Sequence, residues 1–378
     1  LNLNISELVF QRPTWAEINL DALSSNVLVI QKIASPARIL AVVKSDGYGH
    51  GAVTVARKLQ QDGVAYFGTA TVTEAIELRN AGITIPVLVL SGLTPEQLPL
   101  LLQYDLIPAI YNMRFLKALD EYTRSQNKEV LVHVKVDTGV GRLGFTLSDA
   151  AEVLRHALPF VKIGGVYTHL ACAEIPNDPY TQRQLALFRQ FLLENPQKGP
   201  LVHAANSSAI VNYPESHYDM VRPGILLYGI SPVDETLGLV PILTLKSKIM
   251  YMHWIQKGET VGYGRSFCAE RDTLIATIPI GYADGLRRHL SNRLEVEIRG
   301  TMCPAVGNIS MDLTTIDVTE IANSVQLYDT ATLIGPRTTA KDWARLLDTV
   351  VYEVTCLIGA RVPRVYYKND QICDVYYP

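Results

Sequence analysis

A lysine, a tyrosine, a histidine and three glycines follow directly on an apolar segment in Ala41-Val42-Val43-Lys44-Ser45-Asp46-Gly47-Tyr48-Gly49-His50-Gly51. The run from Ile39 to Val43 reads as a buried strand. Charged residues are rare inside such strands, so Lys44 marks the strand's exit, at the mouth of whatever it helps to build. There an amine can be partly desolvated, lose its proton and attack a carbonyl. A solvated lysine before a Gly-rich turn is the plainer alternative.

Positioning such an amine needs a scaffold. From about residue 12 an apolar run, a polar or Gly-rich link and an amphipathic stretch recur. Strands are expected at Ile39–Lys44, Ala65–Thr69, Val87–Leu90, Ile107–Tyr111, Val130–Val136, Ile163–His169, Leu201–His203 and Asp219–Arg222. Helices are expected between most of them. Glu74–Arg79 stops at Asn80-Ala81-Gly82, Ser148 caps the stretch to Leu154, and Gln182–Leu193 keeps helical spacing. Eight strands alternating with helices fit a (β/α)8 barrel over residues 12–240. A doubly wound sheet would need a Gly-x-Gly-x-x-Gly turn, which Gly47-Tyr48-Gly49-His50-Gly51 lacks.

In a barrel, functional residues gather at the C-terminal strand ends. Those exits carry Lys44 with Tyr48 beyond, then Lys135 followed by Asp137–Arg142, Thr168-His169, Asn206-Ser207-Ser208, and Arg222-Pro223-Gly224-Ile225. The last two exits commonly hold a phosphate: the Ser207 hydroxyl and the Gly224 and Ile225 amides suit one. A phosphate pocket facing a lysine suggests pyridoxal phosphate held as a Schiff base. A Schiff-base aldolase, needing no cofactor, remains the rival at this point.

After residue 240 the texture changes. Leu243–Trp254, Leu274–Pro279, Arg293–Ile298 and Ala331–Leu333 are short apolar or alternating runs broken by glycines, and only Lys341–Leu347 looks helical. Residues 241–378 therefore read as a mostly antiparallel β domain, on which residues 1–11 could pack. The net charge of -3 gives no reason to expect nucleic acid or a membrane surface as partner, and no apolar run is long enough to span a bilayer. Leu1–Phe10 does not read as a signal peptide; the missing Met leaves open a leader removed before Leu1. Five scattered cysteines show no metal spacing and read as reduced, buried thiols of a cytoplasmic protein.

The stretch around Lys44 resembles the cofactor-lysine signature of alanine racemases. Lys135–Gly144, Arg222–Ile225, Gly281-Tyr282-Ala283-Asp284-Gly285, Gly307–Asp312, Tyr352-Glu353 and Arg361-Val362-Pro363-Arg364 are similar to further motifs of that family, in order and across both domains. The resemblance implies a pyridoxal-phosphate-dependent isomerase that interconverts L- and D-alanine and supplies D-alanine for peptidoglycan. Lys44 would bind the cofactor and act as one base. Tyr282, supplied by the partner subunit of a homodimer, would act on the opposite face. Two such groups suit a racemase, where a proton leaves one face and returns on the other.

By the same resemblance, Arg222 would face the pyridine nitrogen, disfavouring its protonation, with His169 in support. Arg142 would contact the cofactor and the substrate carboxylate, and Lys135 would be open to carbamylation. Met311, through its N–H, and Asp312 would line the substrate side. Tyr48, Ser207, Gly224, Ile225 and Tyr352 would hold the phosphate. No metal is implied. Alternatives are a serine or broader-specificity racemase, a fold-related decarboxylase and a non-catalytic cofactor-binding protein. The decarboxylases carry an acidic residue at the ring nitrogen and a Cys-Asp pair where this chain has Met311-Asp312.

Overall fold

The computed structural model describes residues 12–156 and 158–377. The chain forms two compact units. One comprises residues 22–47 and 52–241; the other comprises 12–21, 48–51 and 242–377. The expected packing of residues 1–11 lies outside the described residues.

The first unit is a closed barrel of parallel strands: β1 (Arg38–Val42), β2 (Tyr66–Thr69), β3 (Val87–Val89), β4 (Ile107–Ile110), β5 (Val130–Lys135), β6 (Val161–Tyr167), β7 (Leu201–His203) and β8 (Met220–Val221). Each strand from β1 to β7 pairs with its neighbour, with one register shift between Val132 and His133, and β8 pairs with β1. The ring closes where Asp219 N–H donates to Val202 O (3.0 Å), Arg222 N–H donates to Ala205 O (2.9 Å) and Asn206 bridges Arg222. All residues of β3 and β4 are buried, as strands covered on both faces require. All eight expected strands are present.

Helices cover the barrel. Thr71 and Glu74 form a capping box on Val72–Asn80, while Asn112 caps Met113–Ser125 and Asp178 caps Pro179–Glu194. The helix expected to be capped by Ser148 begins earlier: Thr146 accepts the Asp149 N–H at 3.2 Å and caps Leu147–Arg155. Lys44, expected as the last strand residue, stands two positions beyond the end of β1.

The second unit holds a seven-stranded sheet of order Thr301–Pro304, Glu295–Ile298, Thr330–Ile334, Leu243–Lys248, Thr14–Asn19, Arg364–Lys368, Gln371–Tyr376. Its pairs are antiparallel except that Thr14–Asn19 runs parallel to Arg364–Lys368. A smaller antiparallel sheet joins Tyr251–Ile255, Thr273–Ile278 and Thr314–Asp317.

The barrel was expected to start at residue 12, but Thr14–Asn19 finds both its strand partners in the second unit. Its buried and half-buried residues alternate, the mark of a strand in a one-sided sheet rather than a barrel wall. The run Leu243–Trp254 is two strands, and a second short helix, Val351–Cys356, follows Ala340–Leu347. Of the cysteines only Cys303 is buried; Cys268, Cys356 and Cys373 are exposed. Among the described residues no helix is long and apolar enough to cross a membrane.

Candidate active site

The backbone after Lys44 is unusual. Ser45, Asp46, Gly47, Tyr48 and Gly49 all have positive φ, between 51° and 83°, so they make a left-handed helical turn. Each non-glycine residue in that region costs about 1–2 kcal/mol. The turn is held by side chains and backbone around it. Ser45 N–H donates to Glu74 Oε1 (2.8 Å), Gly47 N–H to Val43 O (2.9 Å), and Ala52 N–H to Asp46 Oδ1 (2.7 Å). A Cβ on Gly49 would lie 2.1 Å from Thr355 O, so only glycine fits there.

The barrel exits bring a group of cations together. Lys135 ends β5 and is buried; burial first, then the Arg222 and Arg142 guanidiniums, push its amine down to about 8, and the Lys44 charge adds to that. Arg142 itself is exposed, on a loop ordered by Asp137. That carboxylate accepts the N–H groups of Gly139, Val140 and Gly141 at 2.9–3.0 Å. His169 lies just past β6, with Nδ1 3.3 Å from Arg222 Nη2. Burial, and then the charges of Arg222, Lys135, Arg142 and Lys44, hold it well below the ordinary histidine range.

Arg222 is buried and has neutral partners: the carbonyls of Thr168 and Ala204 (2.8 Å each), His203 Nδ1 (3.0 Å) and His169. Burial lowers its guanidinium to about 10. Because a guanidinium only donates, His203 Nδ1 must be bare. His203 then carries its proton on Nε2 and donates to His133 Nδ1 at 2.9 Å. Tyr167 stacks on His203 at 4.6 Å. Sequence reasoning missed His133, His203 and Tyr167. Their signal was polar residues within strands expected to be apolar.

Ser207 and Gly224 meet: the Gly224 N–H donates to Ser207 Oγ at 2.9 Å, beside buried Ile225.

The other expected residues belong to the second unit and fall in two groups. Tyr48 and Tyr352 have ring centroids 6.2 Å apart, and burial, then Tyr352 and Cys356, raise the Tyr48 phenol. Tyr282 sits in a turn zipped to the Met311 segment: Tyr282 N–H donates to Ser310 O and Ala283 N–H to Met311 O, both at 3.0 Å. The Tyr282 side chain is 42% exposed and Met311 52%. Asp312 pairs with Arg361 at 2.8 Å.

The model of the alanine racemase N-terminal domain matches residues 18–232, and that of the C-terminal domain matches residues 242–366. The alanine racemase of Clostridium novyi is 38% identical over 96% of this chain and 98% of its own length. A solved alanine racemase from Clostridium difficile 630 superposes with a TM-score of 0.92 at 34% identity, covering 97% of this chain and 99% of that one. The alanine racemase of Bartonella henselae, solved with covalently bound pyridoxal phosphate, gives 0.88 at 29% identity, covering 94% and 99%. With both domain models matched in order and curated relatives aligned end to end, this chain belongs to the alanine racemase family.

Proposed function

We propose that this chain racemises alanine, with Lys44 and Tyr282 as its two bases, working as a cytoplasmic homodimer that supplies D-alanine for peptidoglycan. Its cofactor is pyridoxal 5'-phosphate. The observation that carries this reading is the cation cluster at the barrel mouth: buried Lys135 and Arg222 both lie over the Tyr167 ring, 5.7 and 5.3 Å from its centre, and the Lys44 and Arg142 charges also act on Lys135. The nearby Asp137 carboxylate is engaged by its own loop's amides. Such a site calls for anions, and a phosphorylated cofactor with a substrate carboxylate supplies them.

When bound, the cofactor withdraws electrons from the substrate's Cα and so acidifies its proton. Lys44 Nζ binds the cofactor and moves a proton on one face. The Tyr282 hydroxyl of the partner subunit moves it on the other. Arg222 would face the ring nitrogen and disfavour its protonation, since neutral partners leave the guanidinium's charge undiminished. His169 supports that guanidinium. Ser207, Gly224, Ile225, Tyr48 and Tyr352 hold the phosphate. Arg142 receives the substrate carboxylate, with Met311 and Asp312 on the substrate side. Lys135, its amine lowered to about 8, loses a proton readily and reacts with carbon dioxide; the resulting carbamate anion orients Arg142.

The exposure of Tyr282, Met311, Leu313, Tyr251 and Trp254 on the second unit supports the dimer. The test is to incubate the protein and pyridoxal phosphate with L-alanine and follow optical rotation. Decay to zero with D-alanine accumulating is expected. Persistent rotation, or release of carbon dioxide, contradicts the reading.

A further inference from the structure

The motif Arg361-Val362-Pro363-Arg364 carries no role in the chemistry above, yet its two arginines reach two different loops. Arg361 Nε donates to Asp284 Oδ1 (2.9 Å) and its Nη2 to Asp312 Oδ1 (2.8 Å). Asp284 is fully buried, also pairs with Arg12 (2.7 Å), and accepts the Gly281 N–H (3.1 Å). Arg12 already supplies Asp284 with a cation. The second fork ties the Tyr282 turn to the segment carrying Met311 and Asp312. The backbone packs as closely: a Cβ on Gly285 would stand 2.1 Å from Leu357 O.

Arg364 is buried and donates to four carbonyls, those of Gly49 (3.0 Å), Ile358 (2.7 Å), Gly359 (2.8 Å) and Val362. Gly49 ends the left-handed turn that starts after Lys44. Tyr366, on the same strand, donates to His50 O at 3.0 Å. Between the arginines, Val362 is buried and Pro363 O accepts the Ala16 N–H (2.9 Å), so the motif is itself fixed in the sheet.

We propose that Arg361 and Arg364 are positioning residues: Arg361 sets the turn that presents Tyr282, and Arg364 sets the turn that presents Lys44. The inference rests on the two-base reading and adds that one four-residue motif holds both loops. Lysine keeps the charge but not the fork, so R361K and R364K lose geometry rather than charge. A misplacement of about 1 Å at a reacting group can cost about a hundredfold in turnover.

The experiment uses the full-length chain, with and without pyridoxal phosphate. Amide hydrogen exchange locates what each variant loosens, and deuterium uptake at Cα from heavy water is timed separately for L- and D-alanine. R361K is expected to raise amide exchange over 281–286 and 310–313, and to slow Cα deuteration of one enantiomer tenfold or more, by an order-of-magnitude reading. R364K is expected to loosen 45–51 and to slow the other enantiomer. Tyr366→Phe, a milder change at the same loop, takes its place if R364K does not fold. Equal slowing of both enantiomers by each variant, or loosening of the same segment by both, overturns the proposal. Tyr282→Phe separates the two layers: if it leaves deuteration of both enantiomers unchanged, the two-base reading fails, while the amide-exchange result still judges the positioning.

Discussion

The two groups of proposed active-site residues differ in how far the chain itself completes them. On the barrel side, Arg222, His203 and His133 are buried, and the first two are bonded on both sides, with proton positions that a guanidinium donor forces. On the second unit, the Tyr282 turn is zipped to Ser310 and Met311 through the backbone, but the Tyr282 and Met311 side chains are exposed. The column is fixed from Arg222 to His203, where an unpaired group would be costly, and it ends at His133, whose buried Nε2 has no partner among the described residues. An exposed phenol on a well-held turn is what a residue acting in a partner's site would look like. The contrast fits the proposed division of labour, in which Arg222 and its histidines serve the cofactor within one chain and Tyr282 is presented to another.

The largest effect should come from the base itself. Lys44→Ala should lower turnover by about 10²–10⁴-fold, and borohydride trapping with peptide mapping should then find no cofactor at residue 44. Tyr282→Phe should cost a comparable factor while leaving cofactor binding, read by absorbance, intact. If cofactor binding fell too, Tyr282 would belong to the seat rather than to the presented group.

Acid should separate the two regions next. Burial, then the Arg222 charge, push His133 down to about 4. Below the ordinary histidine range the unfolded chain takes up the proton and the folded chain does not. Stability therefore falls as pH drops from about 6.5 to 4, by about 3 kcal/mol from His133 alone. Urea melts from pH 7 to 4.5 check this: His133→Asn keeps an acceptor for the His203 N–H and should flatten the slope. In buffer freed of carbon dioxide, where its amine is uncarbamylated, Lys135 works at the other end. Its lowered amine makes the unfolded chain the better proton binder between about 8 and 10.5, so stability rises with pH across that window, and Lys135→Met should remove the rise. The smallest effect is at a helix cap: Thr71→Ala, which breaks the capping box that Thr71 forms with Glu74 on Val72–Asn80, should cost about 1 kcal/mol in a thermal melt.

All eight barrel strands were legible in the sequence, because strands covered on both faces are written as continuous apolar runs. Strand exits then placed Lys44, Lys135, His169, Ser207 and Arg222 correctly at one end. What escaped was set by long-range pairing. Thr14–Asn19 alternates like any half-buried strand, and nothing local tells it to join residues 243–248 and 364–368. The left-handed turn after Lys44 was hidden because Ser45 and Tyr48 rarely adopt positive φ and Asp46 visits it only as a single residue; flanking contacts impose it. His133 and His203 looked like strand residues, since their meaning is a contact between strands seventy residues apart.

The most direct test of the central claim is complementation between inactive chains. Lys44→Ala and Tyr282→Ala proteins are each purified, mixed, dissociated and allowed to reassociate. If Tyr282 serves the partner's cofactor site, about half of the dimers are mixed, and each holds one intact site. The mixture should then recover about one quarter of the wild-type rate of alanine racemisation. A mixture no more active than either variant alone would contradict the account.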